Sequence, residues 1–117
     1  MISGIGVDLL SKKRIFETYK RFGDRFLKRI MTPFEIKFYA ESLKIEERLA
    51  KIFSGKEAIG KALGVGIGSK FGFQDVSILK DENGKPFCRI HKNFEGSIHL
   101  SFSDEGDSII SFVVWEK

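Results

Sequence analysis

The chain reads as an α+β protein with helices packed on a small antiparallel sheet. Three observations predict this. Apolar residues recur at helical spacing from about residue 12 to residue 63, period-two alternation takes over from about residue 74, and a short glycine-spaced β-branched run opens the chain. With 117 residues, 42% of them hydrophobic and 12 of them Phe, residues 1–117 suffice for a single domain with its own core, and a disordered chain is excluded.

In the opening run, residues 2–8, β-branched side chains alternate with glycine, as in a strand that another backbone approaches closely. Ser11 is placed to cap a helix carrying Ile15, Phe16, Tyr19 and Phe22 on its core side, and Gly23 ends it. A short helix over 24–31 turns Phe26, Leu27 and Ile30 inward. Thr32-Pro33-Phe34-Glu35 combines an N-cap, a proline at the first helical position and a glutamate at the third, and its helix is expected to end near Ser42. The longest helical pattern runs from about Ile45 to Leu63 and closes at Gly64, with Leu49, Ile52, Ile59 and Leu63 as its apolar stripe. At roughly 100° per residue, Glu57 projects about 160° away from Ile59, and Lys61, one turn on, shares its face. Gly60 is expected on that exposed side too, where a backbone or a phosphate could come close, and a glycine-rich loop follows over 64–68.

In the last third, residues 74–80 alternate, Asn83-Gly84 signals a hairpin, and Pro86 to Ile90 pairs back. Ile98, Leu100 and Phe102 alternate with His99, Ser101 and Ser103, giving one strand an apolar and a polar face. Residues 104–107 turn the chain into a final strand over about 108–115.

No apolar run reaches the roughly 20 residues a membrane span needs, the N-terminus lacks the charge and length of a signal peptide, and Cys88 has no partner for a disulfide. These features point to a cytoplasmic protein with no membrane partner. The net charge of +4 is uneven: residues 12–37 carry nine basic groups against three acids, while the remainder is slightly acidic. Such a surface attracts an acidic partner, although a charge run alone also fits a solvated helix face.

Several residues could carry chemistry, and each has an ordinary reading. Asp8 is the only acid before residue 17 and could be a turn acid; Glu57 could be a solvated partner of Lys61; His99 between serines could be structural. The glycine loop follows a helix instead of a strand, so a dinucleotide fingerprint is not met. Taken together, two distant acids, a lysine and a glycine loop are the parts for gripping a pyrophosphate through Mg²⁺. That ion is usually held by one or two carboxylates while water and substrate phosphates complete its shell.

Gly4-Ile5-Gly6-Val7-Asp8-Leu9-Leu10 resembles the opening motif of the holo-[acyl-carrier-protein] synthases, the small-type 4′-phosphopantetheinyl transferases. Phe53 to Gly64, with Lys56-Glu57-Ala58 and Lys61, resembles their second motif. Gly66-Ile67-Gly68, Phe73-Gln74-Asp75, Asn83-Gly84-Lys85-Pro86 and His99-Leu100-Ser101 follow in the family's order, so the likeness spans nearly the whole chain. It implies the 4′-phosphopantetheinyl transferase fold and Mg²⁺-dependent transfer of the phosphopantetheine arm of coenzyme A to a serine of apo acyl carrier protein. The product nucleotide would be adenosine 3′,5′-bisphosphate and the role fatty acid biosynthesis. By carry-over, Asp8 and Glu57 are the metal ligands, Lys61 contacts the phosphates, and Glu57 or a metal-bound water takes the serine proton, Glu57 being preferred. Gly64, Asn83, Gly84, Lys85, Pro86, His99 and Ser101 are the expected coenzyme A contacts, with Arg14, Arg21 and Arg25 docking the acidic carrier protein. The resemblance also implies a homotrimer with each active site between two subunits.

Two positions depart from the family pattern: Ile52 stands where relatives usually carry arginine, and Asp104 where they often carry histidine. Lys51 or Lys56 is expected to compensate. A nucleic-acid-binding module would use the basic segment but leave Asp8, Glu57 and the glycine loop without purpose, and Phe16, Phe22 and Phe26 fit core spacing better than a stacking platform. A hydrolase built on His99 and Ser101 has no evident carboxylate to orient the histidine.

Overall fold

A computed structural model describes residues 1–117. Strand β1 (Ile2–Ser11) leads into helices α1 (Lys12–Phe22), α2 (Asp24–Ile30), α3 (Pro33–Phe38) and α4 (Ile45–Ala62). A short 3₁₀ turn, Phe73–Asp75, precedes β2 (Val76–Lys80), β3 (Pro86–Ile90), β4 (Ser97–Glu105) and β5 (Ser108–Glu116). The strands form two antiparallel sheets, one ordered β1-β5-β4 and the other the β2-β3 hairpin. The predicted α+β class holds, with the small sheet divided in two. No helix is long and apolar enough to cross a membrane.

How β1 meets α4 sets the architecture. Gly4, Gly6, Asp8 and Leu10 alternate onto the inner face of the sheet, while Ile5, Val7 and Leu9 face outward. A Cβ on Gly4 would collide with the carbonyl oxygen of Ala62, and one on Gly6 with that of Ala58. The next inward residue, Asp8, meets Ser54. Two residues of strand advance about 6.6 Å and four of helix about 6.0 Å. The inward row of β1 therefore steps along α4 in the opposite direction, one helical turn per strand pair. The strand is longer than residues 2–8 because Asp8 to Ser11 continue to pair with Ser111 to Ser108.

Local signals set most helix ends. Ser11 accepts from the Arg14 amide and Gly23, at φ 58°, closes α1. Thr32 and Glu35 form the reciprocal cap of α3. This helix stops at Phe38, four residues short of the expected end, because Tyr39 is buried and its hydroxyl donates to the Ile78 carbonyl. The turn that follows redirects the chain into α4.

The single apolar stripe expected for α4 is too narrow an account. Ser54, Gly55, Lys56 and Gly60 are buried along with Leu49, Ile52, Ala58, Ile59 and Ala62, so the helix is enclosed on most sides. Its small residues make this possible. Gly60 is not on an exposed face: the backbone of Gly66 and Ile67 folds back against it, and the Gly66 amide donates to the Gly60 carbonyl. Phe22 is also displaced from the expected core. Its ring lies 47% exposed under the Arg21 guanidinium, whereas Phe16 and Phe26 pack against the core.

On the flank of α4 away from β1, Lys56 is wholly buried. Its Nζ donates to Glu35 Oε1 at 2.6 Å, the Ile30 carbonyl at 2.7 Å and the Phe73 carbonyl at 2.8 Å. Burial pulls the ammonium below its usual range, opposed by the Glu35 charge. Glu35 also accepts from the Thr32 and Ile78 amides, so every polar atom in this cluster has a partner. Lys56→Met would leave the Glu35 charge buried without its cation and should lower unfolding free energy by about 3–5 kcal/mol, whereas Glu35→Gln/Lys56→Met, which removes the charge and keeps an oxygen for the amides, should lose less. Denaturant unfolding of the two variants checks this; equal losses would place the stabilisation elsewhere.

Candidate active site

Asp8 leaves β1 on the inner face two residues beyond Gly6, and Glu57 and Lys61 lie one turn apart on the rim of α4. The Lys61 ammonium donates to the Val7 carbonyl at 2.9 Å and stands 3.4 Å from Asp8 Oδ1. The other Asp8 oxygen, Oδ2, accepts from Ser54 Oγ at 2.8 Å, and Ser54 in turn accepts from Ser111 Oγ at 2.7 Å. The half-buried Glu57 carboxyl is pushed above its ordinary 4.5, first by burial and then by the charge of Asp8; Lys61 opposes the shift. The two acids, 49 positions apart in the chain, are thus brought close enough for the charge of one to act on the other.

That donor set suits a hard divalent cation. Nowhere in the chain do three or more His, Cys, Asp or Glu gather as a metal cage. Two carboxylates on an open rim match an ion that keeps water and substrate phosphates in its shell.

A second feature lies on the β2-β3 side of α4. A cavity of about 390 Å³ is lined by Arg48, Lys51, Lys80 and Lys85, with Tyr39, Ile52 and Phe102 among its apolar walls. Burial, followed by repulsion from Arg48 and Lys51, holds the Lys80 ammonium below its ordinary 10.5. Arg48, Lys51 and Lys80 crowd one another, with Asp104 near enough to feel the Lys51 charge, and such a concentration of cations suits an anion. Ile52, nearly fully buried, belongs to the wall, and Lys51 supplies a cation beside it. The buried Lys56 bonds to Glu35 instead, so it does not compensate for the missing arginine. Asp104 pairs with Lys12 at 2.8 Å, and that ammonium holds its carboxyl below the usual aspartate range.

The remaining predicted residues are distributed as follows. Gly84, Lys85 and Pro86 border the cavity from the β2-β3 turn, as does Ser101 from β4, while Asn83 sits exposed in the same turn with its amide on Asp81. Gly64 follows α4 at φ 76°. His99 is outside the cavity and lies 3.0 Å from Glu116. A carboxylate to orient His99 therefore does exist, contrary to the sequence reading. The pair is more than half exposed and makes no bond to Ser101, so it is not a nucleophile-activating triad. Arg14 and Arg21 are exposed on α1, and Arg25 on α2 joins Arg29, Phe22 and Phe26 around a shallow groove. Burying Glu35 makes the surface of residues 12–37 still more cationic. Burial pushes the Cys88 thiol to about 12, so it is inert at neutral pH.

Arg48, Lys80, Ser54 and Ser111 were missed in the sequence. Ser111 alone left a trace: it interrupts the inward apolar row of β5 between Ile109 and Val113.

Comparison with known proteins gives the family. A family model described as the 4′-phosphopantetheinyl transferase superfamily matches residues 4–113. A holo-[acyl-carrier-protein] synthase of Campylobacter hominis is 42% identical over 96% of both chains. The crystal structure of the Neisseria meningitidis holo-[acyl-carrier-protein] synthase superposes with a TM-score of 0.90 at 38% identity, covering 100% of both chains. That of the Helicobacter pylori enzyme in complex with coenzyme A gives 0.84 at 34% identity, covering 96% of this chain and 99% of that one. The chain is a phosphopantetheinyl transferase by sequence and fold, and within that superfamily it belongs to the holo-[acyl-carrier-protein] synthases.

The Glu57 shift carries a pH signature. A carboxyl whose pKa is raised on folding leaves the folded state at no disadvantage below the unfolded value, and the disadvantage grows as pH rises through the folded one. Without divalent ions, Glu57→Gln should therefore raise the melting midpoint at pH 7.5 and give no gain at pH 4. Calorimetric scans at the two pH values test this; a gain of equal size at both would contradict it.

Proposed function

We propose that this chain transfers the 4′-phosphopantetheine arm of coenzyme A to a serine of apo acyl carrier protein, with Mg²⁺ held by Asp8 and Glu57. The observation that carries the reading is that Asp8 of β1 pairs with Lys61 of α4 and its charge acts on Glu57 one turn away. It is supported by the relatives' naming and by the coenzyme A complex of the Helicobacter pylori enzyme.

In the reaction, the serine oxygen forms a bond to the phosphorus that carries pantetheine. The bond from that phosphorus to the bridging oxygen breaks, and adenosine 3′,5′-bisphosphate departs with the electron pair. Glu57, on the rim beside Lys61, takes the serine proton as general base. Lys61 reaches the pyrophosphate oxygens from one turn along the helix. When bound, Mg²⁺ neutralises the charge that gathers on the attacked and leaving phosphates. The cavity ringed by Arg48, Lys51, Lys80 and Lys85 would hold the 3′-phosphate end of a coenzyme A molecule reacting at a neighbouring subunit, with Gly84 and Pro86 shaping its mouth. Gly64, Asn83, His99 and Ser101 complete the proposed coenzyme A contacts.

Arg14, Arg21 and Arg25 would steer and dock the acidic carrier protein. The outer sheet face presents Ile5, Val7, Leu9, Ile110 and Phe112 to solvent, a contiguous apolar surface suited to other copies of the chain. We assign it to a homotrimer of single-domain subunits, each active site lying between two of them. We assign the enzyme to the priming of carrier protein for fatty acid synthesis, in the cytoplasm.

Intact-mass analysis of apo acyl carrier protein incubated with the protein, coenzyme A and Mg²⁺ should show the gain of one phosphopantetheine, abolished by a chelator. No gain with any divalent ion refutes the proposal. Arg14→Ala should raise the KM for carrier protein several-fold and weaken its salt dependence, leaving the KM for coenzyme A in place; an unaltered carrier KM would remove Arg14 from the docking surface.

A further inference from the structure

We infer that Ser54 is a positioning residue for the metal carboxylate and that Ser111 orients it. This inference rests on the assignment of Asp8 as a metal ligand. Asp8 and Ser111 are directly opposed across β1 and β5, so both side chains project from the inner face toward α4. Ser54 enters between them from α4, one turn before Ala58.

Both serines are completely buried, and each hydroxyl has one proton to give. Asp8, as the anion, only accepts. If Ser54 donated to Ser111, Asp8 Oδ2 would lose its donor. The arrangement that satisfies every group runs one way, from Ser111 to Ser54 to Asp8. Ser111 therefore fixes the hydroxyl rotor of Ser54, and Ser54 pins Oδ2. That leaves Oδ1 facing the Lys61 ammonium, on the open side of the site.

Packing gives no reason for hydroxyls here. Ser111 lies in the inward row of β5 between Ile109 and Val113, all three fully buried, and Ser54 is in the interior of α4. A buried hydroxyl is unfavourable unless bonded, and serine within a helix is at best neutral. What the pair supplies is a fixed carboxylate orientation. An ion that demands near-ideal octahedral geometry is sensitive to that orientation, and outer partners of ligands commonly change metal affinity by about 10–100-fold.

The test is direct Mn²⁺ binding, read from the free-ion electron paramagnetic resonance signal, with coenzyme A present and carrier protein omitted. Ser54→Ala should raise the Mn²⁺ dissociation constant about tenfold or more while keeping a cooperative melt. In turnover it should raise half-saturating Mg²⁺ and leave the KM for carrier protein unchanged. Ser111→Ala should raise the Mn²⁺ constant by a smaller factor of at least about threefold, and the double variant should be no worse than Ser54→Ala, because Ser111 acts through Ser54. A folded Ser54→Ala protein within threefold of wild type overturns the inference, as does a double variant whose effects multiply. Should Ser54→Ala not fold, Ser111→Ala decides alone, and an unchanged constant overturns the relay. Asp8→Ala is the control: abolished binding keeps the metal reading intact whichever way the serines fall, and retained binding overturns that reading and this one together.

Discussion

Strand β1 lies against α4 so closely that the carbonyls of Ala62 and Ala58 occupy the space where Gly4 and Gly6 would carry side chains. The carboxylate end of the proposed site depends on that contact. The inward row of the strand and every fourth residue of the helix advance by nearly the same distance, so the third member of each row also meets, and the third pair is Asp8 with Ser54. Any side chain at residue 4 or 6 would lift the strand and open this last contact. The glycines of the opening motif therefore act on the chemistry indirectly, by setting how near the carboxylate of β1 comes to Glu57 and Lys61.

The opposite flank of α4 is held by different means. Lys56 ties the helix to the ends of α2 and α3 and to the 3₁₀ turn through three hydrogen bonds in a water-free setting. Consecutive residues of one motif thus serve opposite ends: Lys56 points inward to anchor the helix, and Glu57 points to the rim. A helix fixed by glycine contacts on one side and an ion pair on the other has little freedom to rotate. That rigidity suits a site whose ligands come from different elements.

Charge is arranged against stability in two places. Asp8 and Glu57 repel one another, and Arg48, Lys51 and Lys80 crowd a partly apolar cavity. Both are unfavourable in the free protein; a cation at a bound diphosphate would relieve the first, and a phosphate group in the cavity the second. Folded proteins commonly store such strain where they bind.

Much was legible locally. Caps at Ser11 and Thr32, the stop at Gly23, the alternation of β4 and the Asn83-Gly84 turn are short-range effects of backbone geometry, and each appears where the sequence put it. The alternation expected over 74–80 does not, since β2 starts at Val76 and is buried on both faces. The Asp8 and Lys56-Glu57-Ala58 motifs were equally readable, as was the outward projection of Glu57, which follows from helix periodicity. What the chain could not declare by itself was anything set by partners far away in sequence. The burial of Lys56 and Gly60, the early stop of α3, the exposure of Phe22, the carboxylate beside His99 and the serines behind Asp8 are of this kind. A lysine or serine has the same local preferences whether it faces water or a buried acceptor. Only the packing of β1 and β5 on α4 decides which it meets, because that packing removes water and leaves each polar group to find its partner within the protein.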